Sequence, residues 1–225
     1  ISQGESMHFI ANPAWFKLFG LLGAGVALLG SVIAASAYRG KQEQRYSPIN
    51  HFISELGEVG VSRLAPVFNL GLILSGLALL LASLSLGLAL PGFLAKLGLV
   101  AGVVSAISLA LVGVFPMNQI EPHGKAAVTY FRSGLAMVAL FSLAIAFQPS
   151  ASAIISRWFA LAGLPAVLAF GSFLVLIGKA YQDGQEDPIG TEDVQRPRFW
   201  LLAAVEWSVF LTVLLWFGLI TLGLG

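Results

Sequence analysis

Long apolar stretches alternate with shorter polar ones along the whole chain. Each apolar stretch is as long as the ~20 residues that a helix needs to cross a bilayer. They lie near residues 14–38, 63–90, 94–115, 125–147, 153–180 and 199–222. The pattern predicts an all-α polytopic membrane protein, a six-transmembrane-helix bundle that forms one domain over residues 14–225. Residues 1–13 are expected to be an N-terminal leader or interfacial segment.

The composition supports a membrane protein and excludes several other classes. Hydrophobic residues make up 57% of the chain and charged residues only 10%, which a soluble globule of this length would not tolerate. The formal net charge is +1 and no basic run occurs, so we expect no nucleic-acid partner. The chain has no cysteine, which rules out disulfides, thiol catalysis and thiolate metal sites.

The predicted loops differ between the two ends of the bundle. On one side they are short, at residues 91–92 and 148–152, whereas the loops on the other side cover residues 39–62, 116–124 and 181–198 and hold most polar residues. Functional groups are therefore expected on the long-loop side. Basic and acidic residues are mixed in these loops, so the sequence leaves the membrane orientation open, and it also leaves the oligomeric state open.

Strongly polar residues occur within the predicted spans at a matching depth. Asn69, Arg132 and Glu206 each lie roughly 10 to 12 Å below the long-loop ends, at 1.5 Å of rise per residue, and Ser108 reaches a similar level from the third span. Charged residues inside a membrane are expensive and commonly mark a function. We expect an ion pair between Arg132 and Glu206, which either lines a ligand cavity or only fixes the packing of the helices.

A short amphipathic helix is predicted above this polar layer, in the first long loop. The segment at residues 48–57 ends at Gly57, which we expect at the C′ position of the helix. His51 and Glu55 are four residues apart and therefore share a face, with Ser54 beside them. The third-to-fourth loop adds Asn118 on the same side of the membrane.

Three roles remain open for the polar residues of these loops. His51, Glu55 and His123 together are a set of two imidazoles and one carboxylate that could hold Zn with an open position for water. Ser54 could instead be a nucleophile with a histidine as its base. In the third interpretation, the same side chains only cap helix ends and satisfy loop backbone groups.

Small residues recur every four positions in two of the spans. Such ridges let helices approach closely in a membrane, where no aqueous hydrophobic force acts between them. We expect them to pack inside one bundle rather than to form a dimer interface. They are Gly23, Ala27, Ser31 and Ala35 in the first span and Gly98, Gly102, Ala106 and Ala110 in the third.

Three segments give the chain a resemblance to a known family. YSPINHFISELGEVG, APVFNLGLILSGLAL and VGVFPMNQIEPHGKAAVTYF resemble the prokaryotic six-span membrane family catalogued as domain of unknown function number 998. The chain is more distantly similar to the damage-regulated autophagy modulator group. The resemblance implies a fold and a topology in a prokaryotic cell membrane, but no activity. It also implies a place for Asn69 in the family's FN.G element.

These observations lead to a principal hypothesis and two alternatives. The principal hypothesis is a polar intramembrane cavity that binds a membrane lipid or another amphiphile, with the head group at Asn69, Arg132 and Glu206 beneath the SELG loop. Ser108 and Asn118 are further predicted ligand-binding residues. The first alternative is a metal-dependent membrane hydrolase or transferase that acts on a lipid head group. The second is a structural or assembly subunit whose buried charges only stabilise its own bundle.

Overall fold

Six membrane-spanning helices form the described part of the protein. The computed structural model describes residues 10–41, 43–183 and 196–224, and six helical segments there are long and apolar enough to cross a membrane. Most of the predicted leader and much of the third long loop lie outside the described residues. The helices are α1 (Pro13–Ala37), α2 (Ala65–Ala89), α3 (Phe93–Val114), α4 (Ile120–Phe147), α5 (Leu164–Gln182) and α6 (Leu201–Gly223).

The fifth span has two parts. A 3-10 helix at Arg157–Gly163 continues directly into α5, so that the whole span covers Arg157–Gln182. Pro165 lies in the first turn of α5, where its missing N–H costs no hydrogen bond. The change of helix type just before this proline shortens the α-helical part of the span.

Consecutive helices pack against each other, and α6 closes the bundle against α1 and α5. Close approach depends on small residues, as the sequence predicted. A Cβ atom at Gly76 of α2 would come within 2.6 Å of the Ala106 carbonyl oxygen and 2.8 Å of the Ala110 backbone nitrogen of α3. Gly98 and Gly102 likewise face Phe141 and Ser83 inside the bundle. The small-residue ridge of the third span therefore packs within the protein.

The first long loop contains the predicted short helix, but in a tighter form. It is a 3-10 helix at Ile53–Gly57, which we call the lid helix, and its Ser54, Glu55 and Leu56 side chains are buried. The prediction of a C′ glycine at Gly57 is wrong, because Gly57 is the last residue of the helix and Glu58 is its C-cap. Gly57 instead allows the side chain of Asn69 to approach its backbone closely.

Candidate functional site

The lid helix is hydrogen-bonded to two membrane helices below it. The Ile53 N–H donates to Oε2 of Glu206 on α6 at 2.7 Å, and Nδ2 of Asn69 on α2 donates to the Gly57 carbonyl at 3.0 Å. Ile53 and Gly57 are the first and last residues of the lid helix, so each of its ends is held by a buried side chain. The lid therefore closes the long-loop end of the bundle in a fixed position.

Glu55 connects the lid to the segment before α6. Its two carboxylate oxygens accept hydrogen bonds from both terminal nitrogens of Arg196, at 2.8 and 2.7 Å. The Phe52 N–H donates to Oε1 at 2.8 Å and the Tyr38 hydroxyl to Oε2 at 3.2 Å. Glu55 is only 1% exposed, so a guanidinium and two further donors compensate the cost of burying its charge.

An aromatic cluster covers the other side of the lid. The Trp207 indole donates to the Tyr46 hydroxyl at 2.7 Å, and this hydroxyl donates to the Phe52 carbonyl at 2.9 Å. The His51 ring lies 5.2 Å from the Tyr46 ring and 5.5 Å from the Tyr38 ring, measured between centroids. Burial raises the pKa of Tyr46 far above its usual range, so its hydroxyl keeps the proton that it donates.

A small cavity lies directly beneath the lid. Its volume is about 60 Å³, and its polar lining comprises Ser54, His123, Tyr130 and Glu206 among otherwise apolar side chains. Glu206 is 5% exposed and His123 is 8% exposed, so both groups are well shielded from solvent. We call this space the lid cavity.

Several polar atoms of the lid cavity, among them one of Glu206 and one of His123, are left without a hydrogen-bond partner in the described part of the chain. Glu206 uses Oε2 for the Ile53 N–H, while its Oε1 makes no hydrogen bond there. His123 places Nδ1 at 2.7 Å from the Phe115 carbonyl, which can only accept, so Nδ1 carries the proton. In the neutral ring Nε2 is then an acceptor. Both unused atoms belong to residues that line the cavity.

The lid cavity is followed by two smaller cavities deeper in the bundle. Their volumes are about 20 and 10 Å³, and they reach Ser75 and Ser83 of α2. Leu109 and Tyr130 line all three cavities. These two side chains therefore separate the three cavities, which follow one another through the mainly apolar core.

The predicted ion pair between Arg132 and Glu206 is absent. The ion pairs that the structure shows among the described residues do not include it, and Arg132 is exposed on the outer surface of α4. Lid-cavity residues His123, Ala127 and Tyr130 lie on the inner face of that helix. The two charges have similar depths but point in different directions, which counting residues from the helix ends does not reveal.

The other predicted ligand-binding residues have structural contacts. Asn69 binds the lid backbone, and Asn118 makes two hydrogen bonds with the backbone of Val59, at 2.7 and 2.8 Å. Ser108 is buried at 4% exposure but does not line the lid cavity. Whether any of them also contacts a ligand stays a prediction.

The predicted metal set is not assembled. His51 lies among the rings of Tyr38 and Tyr46, whereas His123 lines the lid cavity from α4. Within residues 10–41, 43–183 and 196–224, no cluster of three His, Asp or Glu side chains could hold a metal ion. Zinc therefore has no support from the arrangement of these residues. Ser54 and His123 do line the same cavity, and their catalytic role stays a prediction.

The family assignment follows from a comparison with known families. Residues 21–223 match the family described as "Protein of unknown function (DUF998)". The chain belongs to this family. No curated protein and no solved structure matches the chain. The prokaryotic origin and the distant similarity to the autophagy modulator group stay predictions.

Several residues of the site were not found from the sequence. They are aromatic or arginine side chains outside the polar layer: Tyr38, Tyr46, Tyr130, Arg196 and Trp207. One available signal was the presence of tyrosine and tryptophan near the long-loop ends of the spans, where aromatic residues commonly mark the membrane interface. That general preference conceals the specific hydrogen bonds that these side chains make.

Proposed function

We propose that this DUF998 protein binds a single-chain amphiphile with a neutral hydroxyl head group, which enters the lid cavity. The observation that carries the proposal is Oε1 of Glu206, which has no hydrogen-bond partner among the described residues and belongs to the wall of a mainly apolar cavity. A buried acceptor without a partner costs about 1 to 3 kcal/mol, and a ligand hydroxyl would recover this free energy.

The lining of the lid cavity favours a head group that donates hydrogen bonds. Nε2 of His123 offers an acceptor, and the Ser54 hydroxyl and the Glu206 carboxyl, which has no cationic partner among the described residues, can each accept or donate. The residues that line this cavity include no lysine or arginine. A phosphate head group would therefore find no cationic partner there, whereas an alcohol would find complementary groups.

The passage below the lid cavity suits an extended hydrocarbon tail. From Val112 beside the lid cavity to Gly102 at the deepest cavity, α3 rises about 15 Å. This length corresponds to a chain of about 12 carbons, given the length of an extended chain of C–C bonds. Tyr130 and Leu109 must change rotamer to let such a tail pass, because they separate the cavities.

Binding of farnesol to the purified protein in detergent, measured by calorimetry, tests the proposal. Farnesol is expected to bind to the wild type, and farnesyl phosphate is expected to bind at least about tenfold more weakly, as for an unpaired charge moved into an apolar site. Val112→Phe should abolish farnesol binding because the larger side chain fills the lid cavity. Val114→Phe is the matched control, since Val114 lies on the exposed surface of the same helix.

Glu206→Gln provides a second variant that keeps the fold. The amide oxygen can still accept the Ile53 N–H, but the other atom becomes a donor, so farnesol affinity should fall by about tenfold. Equal affinities for farnesol in the wild type, Val112→Phe and Val114→Phe would refute binding in the lid cavity. The structural-subunit alternative predicts no saturable farnesol binding in any variant.

Two enzyme alternatives have different support. A metal-dependent reaction on a lipid head group lacks its ligand set, as described above. A serine hydrolase would use Ser54 and His123, and their shared cavity is the observation in its favour. Because no hydrogen bond joins Ser54 to His123 among the described residues, we favour binding over catalysis.

A further inference from the structure

A second, larger groove lies on the outer surface of the bundle, between α4 and α5. Its volume is about 580 Å³, and it is separated from the lid cavity by the α4 residues His123, Ala127 and Phe131, which line both spaces. We call it the outer groove. Its polar residues are Glu121, His123, Lys125, Thr129, Arg132 and Tyr181, and its apolar floor includes Phe173 and Ile177.

Arg132 is the unusual member of the outer groove. Its side chain is exposed on a membrane-spanning helix, and within the described part of the chain it has no carboxylate within ion-pairing distance. Thr129 and Lys125 lie about one and two turns before it on the same face, and all three line the groove. A cation that faces hydrocarbon needs an anion or must reach the interface.

The depth of Arg132 in the membrane allows its guanidinium to reach toward the level of the lipid phosphates. The 28 residues of α4 span about 42 Å, about 12 Å more than the hydrocarbon core, and the polar excess is at its N-terminal end. If the core begins about eight residues into α4, Lys125 lies just above the boundary. Arg132 then lies about 6 Å below it, a distance that its long side chain can cover by extending toward the interface.

We propose that the outer groove binds an anionic phospholipid, with the phosphate between Arg132 and Lys125 and an acyl chain over Phe173 and Ile177. The lid cavity and the outer groove then select opposite head groups, a neutral alcohol inside and an anion outside. This second site goes beyond the proposed function and does not depend on it.

The charge of the groove favours a lipid over a second copy of the chain. A symmetric dimer through this face would bring the same surface patch of both copies together, and with it the two Arg132 side chains. Like charges in such an interface repel each other, whereas an anionic head group neutralises Arg132. Glu121 weakens the site, because it forms an ion pair with Lys125 at 2.6 Å.

Native mass spectrometry of the detergent-solubilised protein tests the proposal, with dioleoyl phosphatidylglycerol and dioleoyl phosphatidylcholine as probes. The two lipids share their chains, so the ratio of bound adducts reports the head group. The wild type should prefer phosphatidylglycerol. Arg132→Gln should reduce this preference about fivefold, the contribution of one basic residue near an anionic membrane surface, and Arg132→Lys should retain most of it. Glu121→Gln should increase the preference, because Lys125 is released for the phosphate.

Arg63→Gln is the matched control. Arg63 is an exposed arginine in the loop before α2, also on the long-loop side, and it does not line the outer groove. The proposal is overturned if Arg132→Gln and Arg63→Gln change the preference equally, or if the wild type binds both lipids alike. Dimer masses that become more abundant in Arg132→Gln, where this repulsion is gone, without any change in lipid preference would identify a second copy as the occupant and also overturn it. Retained preference in Arg132→Lys shows that loss in Arg132→Gln is not a folding defect.

Discussion

At the scale of single residues, the Glu55 side chain accepts more hydrogen bonds than any other side chain described at the site. One carboxylate accepts hydrogen bonds from Arg196, Tyr38 and the Phe52 backbone, and the Arg196 side chain is itself only 21% exposed. A bidentate arginine–carboxylate pair is among the stronger charged interactions in proteins. Since Arg196 precedes α6 and Tyr38 follows α1, this residue joins the first and last helices through the lid.

Removal of Arg196 alone should be strongly destabilising. Arg196→Gln leaves the buried Glu55 charge without its cation, at an expected cost of about 3 to 5 kcal/mol in the free energy of unfolding. The double variant Glu55→Gln/Arg196→Gln should lose less than the sum of the two single variants, because it leaves no unpaired charge. Chemical denaturation in detergent measures these differences. Arg198→Gln, at an exposed position nearby, serves as the control. Additive losses would show that the pair contributes little.

At the scale of elements, the contact between the lid helix and α2 depends on Gly57. A Cβ atom there would collide with Asn69 Oδ1 and lie 3.1 Å from Cδ1 of Phe68. The same Asn69 side chain donates to the Gly57 carbonyl. The lid can therefore rest on α2 only when residue 57 has no side chain.

Gly57→Ala should loosen this contact, at a cost of about 1 to 3 kcal/mol, as is typical of overpacked sites. The loss should be smaller in an Asn69→Ala background, where the colliding amide is gone. Gly25→Ala is the control, since a Cβ atom at Gly25 of α1 meets no atom within 4 Å. Thermal unfolding in detergent gives the comparison. If Gly57→Ala costs the same in both backgrounds, Asn69 is not the residue that requires the glycine.

The six membrane-spanning helices were predictable from the sequence. The directions in which their side chains point were only partly predictable. Apolar length alone placed six spans, because a bilayer imposes a minimum length on each helix. Depth was then counted without considering the direction around the helix axis, which produced the wrong pairing of Arg132 with Glu206. The spacing of Lys125, Thr129 and Arg132 already indicated a shared outer face. The Glu55–Arg196 contact joins residues far apart in the chain, and no local pattern predicts it.

At the scale of the whole molecule, the two proposed binding sites lie on opposite faces of a single helix. The inner face of α4 carries His123 and Tyr130 toward the lid cavity, and its outer face carries Lys125 and Arg132 in the outer groove. Ala127 and Phe131 line both spaces, so these two side chains form part of the wall between them. The bundle is thus arranged around α4, with the lid as its cover.

The pH dependence of bundle stability should reflect the buried His51 of the lid region. Burial lowers the pKa of His51, and the Arg196 charge acts in the same direction, while Glu55 opposes both. Its Nε2 is buried without a partner in the described part of the chain, and the rings of Tyr38 and Tyr46 lie beside it. Between this lowered pKa and about 6.5, the unfolded chain binds more protons at this position than the folded protein does.

The free energy of unfolding should therefore fall as the pH decreases from about 6.5 through the folded pKa of His51. His51→Phe keeps an aromatic ring but cannot titrate. The difference in the free energy of unfolding between the wild type and this variant should therefore shrink over this pH range.

Burial raises the pKa of Glu58, which has the opposite effect on stability. Its contribution to stability grows as the pH falls toward 4.5. Glu58→Gln removes this second effect and should make the loss at low pH steeper. Denaturation in detergent measures the free energy of unfolding of the wild type and of His51→Phe from pH 7.5 to 5. If the difference between the two stays constant, His51 is protonated equally in the folded and unfolded states.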